Sequence, residues 1–381
     1  MSRTHKKTPA GWVALAVVAG FSVVSAQAPA PGGGRGAAAP DTLTLAEAPF
    51  RIVKMDPGLD SIIAPDAKLE TMAEHIGISE GPLWVSEGRG GYLLFSDLTA
   101  NRIYKRSENG ALSVFLDRIY DGPDFLNAGQ QTVSSGGMAV IIIGSNGLTL
   151  DPQGRVVICS DAARKLIRLE KDGKRTVLAD RFEGKQFSGP NDVVVKSDGA
   201  AYFTDGNSGL RGGRSSPQRE LPFNGFYLVK DGKVSYQGGD REPGGAAPNG
   251  IALSPDEKHL YVSAGRTVMR YDVNADDTVS NGKVFIADMG SDGMKTDLKG
   301  NLYTTGTDQG RAGVRITSPE GKTLGMIQFP VEVKEPRPRI VATNVAFGGP
   351  DGKTLYMTAC SYVYRIQLKA PGVRPGPKTA L

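Results

Sequence analysis

One pattern occurs six times along this 381-residue chain and limits what it can fold into. Each copy opens with an oxygen-donor residue, usually followed by Gly or Val, then a small apolar strand, a turn, and a second strand ending in small polar residues. The copies open at Glu80, Asn146, Asn191, Asn249, Asp292 and Asn344. Repeats of roughly 40 to 65 residues built from paired strands are typical of β-propellers. We therefore predict an all-β protein, a six-bladed β-propeller with four-stranded antiparallel blades around a central channel.

The strand pattern predicts that the propeller occupies residues 49–368. In the third copy, residues 193–195 form a buried strand, Ser197-Asp198-Gly199 a hairpin turn, and residues 201–204 the returning strand. Fifty Gly and 24 Pro suit such a turn-rich fold, and no long helical stripe follows the N-terminus. The last outer strand, at residues 362–366, needs a partner to close the ring, and residues 50–53 are the predicted partner.

The N-terminus has the features of a secretory signal peptide over residues 1–26. Arg3, Lys6 and Lys7 precede an apolar run at residues 11–24, and Val24-Ser25-Ala26 resembles a cleavage site. A retained membrane anchor is the alternative, although the run is short for a bilayer. We expect a periplasmic or secreted protein with no stable membrane span after cleavage, a flexible linker at 27–48 and a loose Pro/Gly-rich tail at 369–381.

Charge gives little support to nucleic-acid binding. The formal net charge is +5, and removal of residues 1–26 takes away three positive charges and no negative ones, which leaves +2. No block of Lys and Arg with interleaved aromatic residues remains. We expect a monomer or a weak oligomer that acts on a small molecule.

The chain has two cysteines, Cys159 and Cys360, at the ends of second strands in different copies. An exported protein can form disulfides, but the sequence cannot place these two residues within bonding range. Two buried free thiols are the prediction.

Two spacings between copies are long, because of insertions near residues 121–144 and 206–222. Loops displayed on a rigid scaffold often carry function, so both insertions could border the mouth of the channel. Simple surface elaboration is an equally good interpretation of each.

The six opening residues form a candidate metal and substrate site. In a propeller the first strand of each blade lines the channel, so its opening residue lies at one rim, and six of them would face a common centre. Amide and carboxylate oxygens suit Ca²⁺, Mg²⁺ or Mn²⁺. Glu80 and Asp292 would repel each other without a cation. The alternative for each Asn alone is that it satisfies backbone groups in a turn.

Other catalytic machinery has little support in the sequence. The three histidines are His5, His75 and His259, so a His-based triad or His-rich metal site is not expected. The chain has no phosphate-binding P-loop. A metal with carboxylates remains, and such a site can polarise a carbonyl and activate water.

The opening segments Ser79-Glu80-Gly81-Pro82, Ser145-Asn146-Gly147, Pro190-Asn191-Asp192, Pro248-Asn249-Gly250 and Ser291-Asp292-Gly293 resemble the gluconolactonase/senescence-marker-protein/luciferin-regenerating-enzyme family over residues 70 to 368. The resemblance implies a six-bladed propeller, one divalent cation and hydrolysis of sugar lactones. The implied metal ligands are Glu80, Asn191, Asn249 and Asp292. Asp292 would also be the catalytic base, or the nucleophile in phosphotriesterase-like relatives. Asn146 and Asn344 would line the channel near substrate. Ca²⁺ is the first expectation, with Mg²⁺, Mn²⁺ and Zn²⁺ as alternatives.

The chain departs from these relatives where substrate would bind. Microbial members often carry His after the second-copy strand, where Ser160-Asp161-Ala162 stands here. They often have Asp-Pro-Pro-Tyr-Gly after the third, where this chain has Asp205-Gly206-Asn207-Ser208-Gly209. The animal branch has Arg at the position of Gly189. The implied metal ligands match the family, but the segments that would contact substrate differ. The resemblance therefore leaves open whether glucono-lactone is the substrate.

We therefore predict a metal-dependent hydrolase of lactones. Two alternatives stay open at this point. One is a non-catalytic propeller that binds a ligand or partner and holds a structural cation, which the altered segments after Asp161 and Asp205 suggest. The other is a phosphotriesterase-like esterase that uses the same cage.

Overall fold

The computed structural model describes residues 48–133, 139–242, 244–308, 310–331 and 340–377. The predicted signal peptide, all but the last residue of the predicted linker, and residues 378–381 lie outside these ranges. Within them the strands form six antiparallel sheets of four or five strands and two small two-stranded sheets. The predicted six-bladed propeller is confirmed. No helix in the described ranges is long and apolar enough to cross a membrane.

Two strands precede the first blade, and the first three blades are consecutive in sequence. The early strands are β1 (Arg51–Lys54) and β2 (Glu70–Ala73). Blade one contains β3 (Ser79–Glu87), β4 (Gly90–Asp97), β5 (Arg102–Ser107) and β6 (Leu112–Asp117). An insertion follows with α1 (Phe125–Ala128), β7 (Gln130–Val133) and β8 (Ala139–Ile142). Blade two contains β9 (Ser145–Leu150), β10 (Val156–Ser160), β11 (Lys165–Leu169) and β12 (Arg175–Ala179), followed by a small hairpin of β13 (Arg181–Phe182) and β14 (Lys185–Gln186). Blade three contains β15 (Pro190–Val195), β16 (Ala201–Asp205), β17 (Gly225–Lys230) and β18 (Lys233–Gly239).

The remaining three blades repeat this arrangement. Blade four contains β19 (Pro248–Leu253), β20 (His259–Ala264), β21 (Thr267–Val273) and β22 (Val279–Ile286). Blade five contains β23 (Met294–Thr296), β24 (Leu302–Asp308), β25 (Arg311–Thr317) and β26 (Thr323–Gln328). Blade six contains β27 (Asn344–Gly348), β28 (Thr354–Ala359) and β29 (Tyr362–Gln367). Short 3₁₀ helices lie at Pro57–Ser61 and Gly213–Ser215.

The hydrophobic core lies between neighbouring blades. Leu83 and Leu94 of blade one pack with Leu148 and Ile158 of blade two, and all four are almost fully buried. Burial of a Leu or Ile side chain contributes about 1.5–3 kcal/mol. Because every sheet is covered on both faces by its neighbours, the innermost strands are held rigidly, and β9 is buried along its whole length.

The strand that closes the ring is β2, not the segment predicted from the sequence. β2 pairs with β29 in blade six, with Glu70 opposite Arg365. Residues 51–54, which include most of the predicted partner, pair instead with β26 as a fifth strand on blade five. That prediction was wrong. Both segments are short and carry little pattern, so the sequence could not show which outer edge each would meet.

The described part of the tail, residues 369–377, contacts the propeller, although its Pro/Gly content predicted a loose segment. The Val373 N–H donates to Thr296 O at 3.0 Å, and the Leu298 N–H donates to Pro371 O at 3.0 Å. Gly372 packs so closely on Phe347 that an added Cβ would lie 1.9 Å from the ring. Backbone hydrogen bonds of this kind leave no sequence pattern, so composition alone did not reveal them.

Both cysteines are buried thiols in the structure, as predicted. Cys159 lies within the core between blades two and three, and burial raises the pKa of its thiol well above the usual value. A thiol in such surroundings is a small apolar side chain in practice.

Candidate active site

Five of the opening residues belong to innermost strands, and Asp292 lies two residues before the sixth, β23. The opening segments of neighbouring blades are in close backbone contact. A Cβ at Gly81 would lie 2.1 Å from Asn146 O, and one at Gly250 would lie 2.1 Å from Asp292 O. Each blade therefore meets the next where glycine allows close backbone approach. The repeated glycine has a structural reason, and the approach brings the opening residues to one rim.

Hydroxyl groups at the ends of the second strands hold this rim together. Ser96 Oγ donates to Asn146 O at 2.8 Å, and Thr305 Oγ1 donates to Thr343 O at 3.0 Å. Thr343 Oγ1 donates in turn to Ser79 O at 2.8 Å, which links blade six to blade one. The small polar residues in the repeat thus satisfy backbone carbonyls that the converging strands leave buried.

Glu80 and Asp292 are neighbours at the rim, although 212 positions separate them. Glu80 is only 4% exposed, and its Oε2 accepts a hydrogen bond from Gly81 N at 2.8 Å. Burial first, and the like charge of Asp292 second, raise the pKa of the Glu80 carboxyl well above its ordinary value. The side chain of Asn344 opposes this by hydrogen bonding to Glu80. The predicted pair of carboxylates is thus in place.

Asn249 provides a further oxygen at the rim. Its Oδ1 is buried and has no hydrogen-bond partner among the described residues. Asn191, Asn249 and Asp292 are half-buried, whereas Glu80 lies deeper. A buried carbonyl oxygen without a donor costs free energy unless something else coordinates it. The donor set therefore fits a hard cation.

The two remaining opening residues use their side chains differently. Asn344 Oδ1 accepts a hydrogen bond from Val345 N at 2.9 Å, so its amide nitrogen is the group that serves Glu80. Asn146 Nδ2 donates to Asp161 Oδ2 at 3.3 Å. Asn344 is therefore a donor to a carboxylate rather than a cation ligand.

Asp192 and Lys295 are channel residues that the sequence analysis did not select. Asp192 is buried, and it also raises the pKa of the Glu80 carboxyl. Asp192 Oδ2 lies 3.7 Å from Lys295 Nζ and accepts a hydrogen bond from Ile251 N at 3.3 Å. One clue was available, because Asp192 stands where four other copies have Gly.

Both insertions border the same rim. Ser208 Oγ donates to Asp161 Oδ1 at 2.6 Å, and Ser208 O accepts from Gln130 N at 3.0 Å. Arg211 Nη1 donates to Leu126 O at 3.0 Å, which joins the two insertions further out. The interpretation that they lie at the mouth of the channel therefore holds, since Asp161 contacts Asn146.

The opposite end of the channel contains a cavity of about 490 Å³. It is lined by the far ends of innermost strands, including Leu150, Val195 and Leu253, and by the tail at residues 372–377. The tail thus covers the end of the channel away from the opening residues.

No three His, Cys, Asp or Glu side chains form a metal-sized group in the described ranges. A cation at the rim must therefore draw on amide oxygens as well as on Glu80 and Asp292. Such a mixed set of oxygens is typical of Ca²⁺ sites and unlike Zn²⁺ sites built from Cys and His.

The fold and the rim define a class: six-bladed propellers with a ring of oxygen donors at one end of the channel. Residues 78–361 match the family described as SMP-30/Gluconolactonase/LRE-like region. The chain belongs to this family.

Two curated relatives support the assignment. A gluconolactonase of Zymomonas mobilis is 32% identical over 338 residues, which covers 84% of this chain and 87% of the relative. A pentonolactonase of Haloferax volcanii is 29% identical over 175 residues, or 44% of this chain and 52% of the relative.

Solved structures share the architecture. A gluconolactonase from Xanthomonas campestris superposes with a TM-score of 0.65 at 25% identity, covering 85% of this chain and 99% of that one. Regucalcin of Agrobacterium tumefaciens, a calcium-binding protein, superposes with a TM-score of 0.58 at 17% identity, covering 88% and 100%. The second likeness establishes the fold alone.

Proposed function

We propose that this enzyme is a lactonase of the gluconolactonase type that uses one divalent cation, held by Glu80, Asn191, Asn249 and Asp292. Lactone hydrolysis is supported by the gluconolactonase that matches 84% of the chain at 32% identity. Ca²⁺ is the proposed cation, and a sugar lactone is the proposed substrate class.

The observation that carries the proposal is the chemistry of the rim. A buried carboxylate, Glu80, lies beside a second carboxylate, Asp292, and Asn249 Oδ1 has no hydrogen-bond donor in the described residues. Two adjacent negative charges and an uncompensated carbonyl oxygen are costly in a buried place. A divalent cation would offset both costs at once.

The cation, when bound, would polarise the lactone carbonyl and lower the pKa of a nearby water. The proton transfers depend on residues of the chain itself. Asp292, at the half-buried rim, accepts a proton from the attacking water. The water oxygen bonds to the carbonyl carbon, the ring C–O bond breaks, and the ring oxygen takes up the proton that Asp292 had accepted, which restores the Asp292 carboxylate. The product is the open hydroxy acid.

Two neighbours keep this arrangement in place. The Asn344 amide donates to Glu80 and so favours its charged form. The Lys295 ammonium, 3.7 Å from Asp192, supplies the nearby positive charge that offsets a third acidic group. Both residues act on the carboxylates of the rim and the channel.

A lactone panel tests the proposal directly. Purified protein would be analysed for bound metal and then assayed with a pH indicator on sugar lactones, simple lactones and a phosphotriester, with and without chelator. Sugar-lactone turnover that chelator abolishes and Ca²⁺ restores is expected. Asp292→Asn should lose activity, whereas the exposed-turn control Asp172→Asn should keep it. Full turnover by Asp292→Ala would contradict the role of Asp292.

We further propose that the protein is exported to the periplasm or outside the cell after cleavage near residue 26. The support is the basic and apolar pattern of residues 1–24. N-terminal sequencing of the protein from cell fractions should give a mature chain that begins near Gln27. A full-length chain in the cytosolic fraction would contradict export.

A further inference from the structure

In each of the first three blades, a hydroxyl residue followed by aspartate stands at the end of the second strand. The pairs are Ser96-Asp97 in blade one, Ser160-Asp161 in blade two and Thr204-Asp205 in blade three. All three aspartates are buried. From the sequence they are equivalent, so a difference in what their carboxylates contact comes from the tertiary structure.

Two of the three carboxylates serve mainly backbone groups. Asp97 Oδ1 accepts from Thr99 N and Ala100 N, both at 3.1 Å, and from the Thr99 hydroxyl. The carboxylate of Asp205 accepts from Ser188 N and from Gly189 N, the latter at 2.7 Å. Such contacts cap turns and stabilise the fold.

Asp161 is different because its carboxylate joins two side chains from separate elements. Its Oδ2 accepts from Asn146 Nδ2 at 3.3 Å, and its Oδ1 accepts from Ser208 Oγ at 2.6 Å. Asp161 is fully buried. One carboxylate thus connects the channel wall at Asn146 with the insertion at residues 206–222.

The contact with Asn146 decides which atom that residue can offer. The amide group is planar, with its donor nitrogen and acceptor oxygen on opposite sides. Above about pH 7 the Asp161 carboxyl is ionised and only accepts hydrogen bonds, so it holds the Asn146 nitrogen and directs Oδ1 away from itself. The wall beside the rim then presents an acceptor, which suits a hydroxyl group on the substrate.

We propose that Asp161 is a positioning residue that makes Asn146 an acceptor for a hydroxyl group of a polyhydroxylated lactone. This inference rests on the proposed lactonase function. Ser208 contributes by holding the other carboxylate oxygen, and its carbonyl in turn binds Gln130 N at 3.0 Å. Both insertions therefore help to set substrate preference without touching the reacting atoms.

The test compares two lactones in the Ca²⁺-loaded protein. Asp161→Asn offers Asn146 both a donor and an acceptor, so the Asn146 amide can turn over and present its nitrogen. We expect about a tenfold loss in kcat/KM on D-glucono-1,5-lactone, mostly through KM, which is the worth of one hydrogen bond. On δ-valerolactone, which lacks hydroxyl groups, the change should be under about twofold. The control Asp97→Asn should leave both substrates unaffected. Equal losses on the two lactones would overturn the proposal.

A second measurement is independent of turnover. In protein labelled with ¹⁵N at asparagine, the side-chain amide signals of Asn146, identified by their loss in Asn146→Asp, should shift in Asp161→Asn and not in Asp97→Asn. Unchanged Asn146 signals would overturn the positioning role. If the wild type hydrolyses no lactone, the proposed function fails while this measurement still decides the role of Asp161. Ser208→Ala, which keeps Asp161, should give a smaller shift in the same direction if Asp161→Asn does not fold.

Discussion

The hydroxyl of Thr204, at the end of the second strand of blade three, donates to the backbone carbonyl of Asn249 in blade four at 2.6 Å. The same oxygen accepts from Asp192 N at 3.0 Å. One buried hydroxyl therefore ties a channel carboxylate residue to a predicted cation ligand. The site depends on such contacts between blades as much as on the ligands themselves.

Thr204→Val should weaken both the fold and the rim. Valine has nearly the same shape but leaves the Asp192 N–H and the Asn249 carbonyl without this partner, so we expect a loss of about 1–3 kcal/mol in the free energy of unfolding. Urea denaturation measures this loss, and calorimetry should show weaker Ca²⁺ binding. Wild-type stability would show that the contact contributes nothing. Thr176→Val, on a partly exposed outer strand, is the control.

Glu80→Gln, which removes one rim charge, should make the melting temperature independent of Ca²⁺. Ca²⁺ bound only by the folded state stabilises it, so chelator should lower the melting temperature of the wild type. In Glu80→Gln one of the two rim carboxylates is gone, and the melting temperature with chelator should equal that with Ca²⁺. The metal-free variant should also be at least as stable as the metal-free wild type, because a buried charge next to Asp292 has been removed. Thermal scans with and without Ca²⁺ check both points.

Lys295→Met should tighten cation binding. The Lys295 ammonium is 3.7 Å from Asp192, which lies close enough to Glu80 to affect its ionisation. Loss of a nearby positive charge raises the affinity for a cation, by about tenfold for an interaction of about 1.4 kcal/mol. Calorimetric titration with Ca²⁺ measures the change. Weaker binding in this variant would show that Lys295 does not repel the cation.

Stability should fall as pH rises from about 4 to 7, and Asp161 should account for part of this. Burial raises the pKa of Asp161 from 3.8 to about 7, and burial raises that of Asp205 to about 7 as well. Between about pH 4 and pH 7, Asp161 and Asp205 are deprotonated in the unfolded chain but keep their protons in the folded chain. The free energy of unfolding therefore decreases with pH and levels off above about 7.

Asp161→Asn should remove only part of that decrease, about 3 kcal/mol between pH 5 and pH 8, because Asp205 and Glu80 still titrate. Urea denaturation at pH 5 and pH 8 in the presence of chelator measures the difference. An undiminished pH dependence in the variant would contradict a buried Asp161 with a raised pKa.

Gly372→Val should detach the tail from the far end of the channel. A Cβ at this position would lie 1.9 Å from the Phe347 ring, so the tail cannot keep its place. Limited proteolysis should then cut near residues 372–377, where the wild type resists, and stability should fall by about 1–3 kcal/mol. Thr176→Val, which introduces the same side chain at a partly exposed strand position without added bulk, is the proteolysis control.

The sequence by itself determined the propeller and the six opening residues. Paired strands and turns recur locally, so their pattern is visible without the fold, and the Gly after Glu80 or Asn249 marks the close approach between blades. The chemical type of the site follows too, because carboxylate and amide oxygens at equivalent positions must meet at one rim.

Only the tertiary structure decided how those residues are used. It turned the Asn344 amide toward Glu80 and left Asn249 Oδ1 without a donor among the residues that the structure describes. It also gave Asp161 two side-chain partners, whereas Asp97 contacts its own turn. The tertiary structure also determined that β2, rather than residues 51–54, closes the ring. These outcomes depend on contacts between residues far apart in sequence, which carry no local pattern.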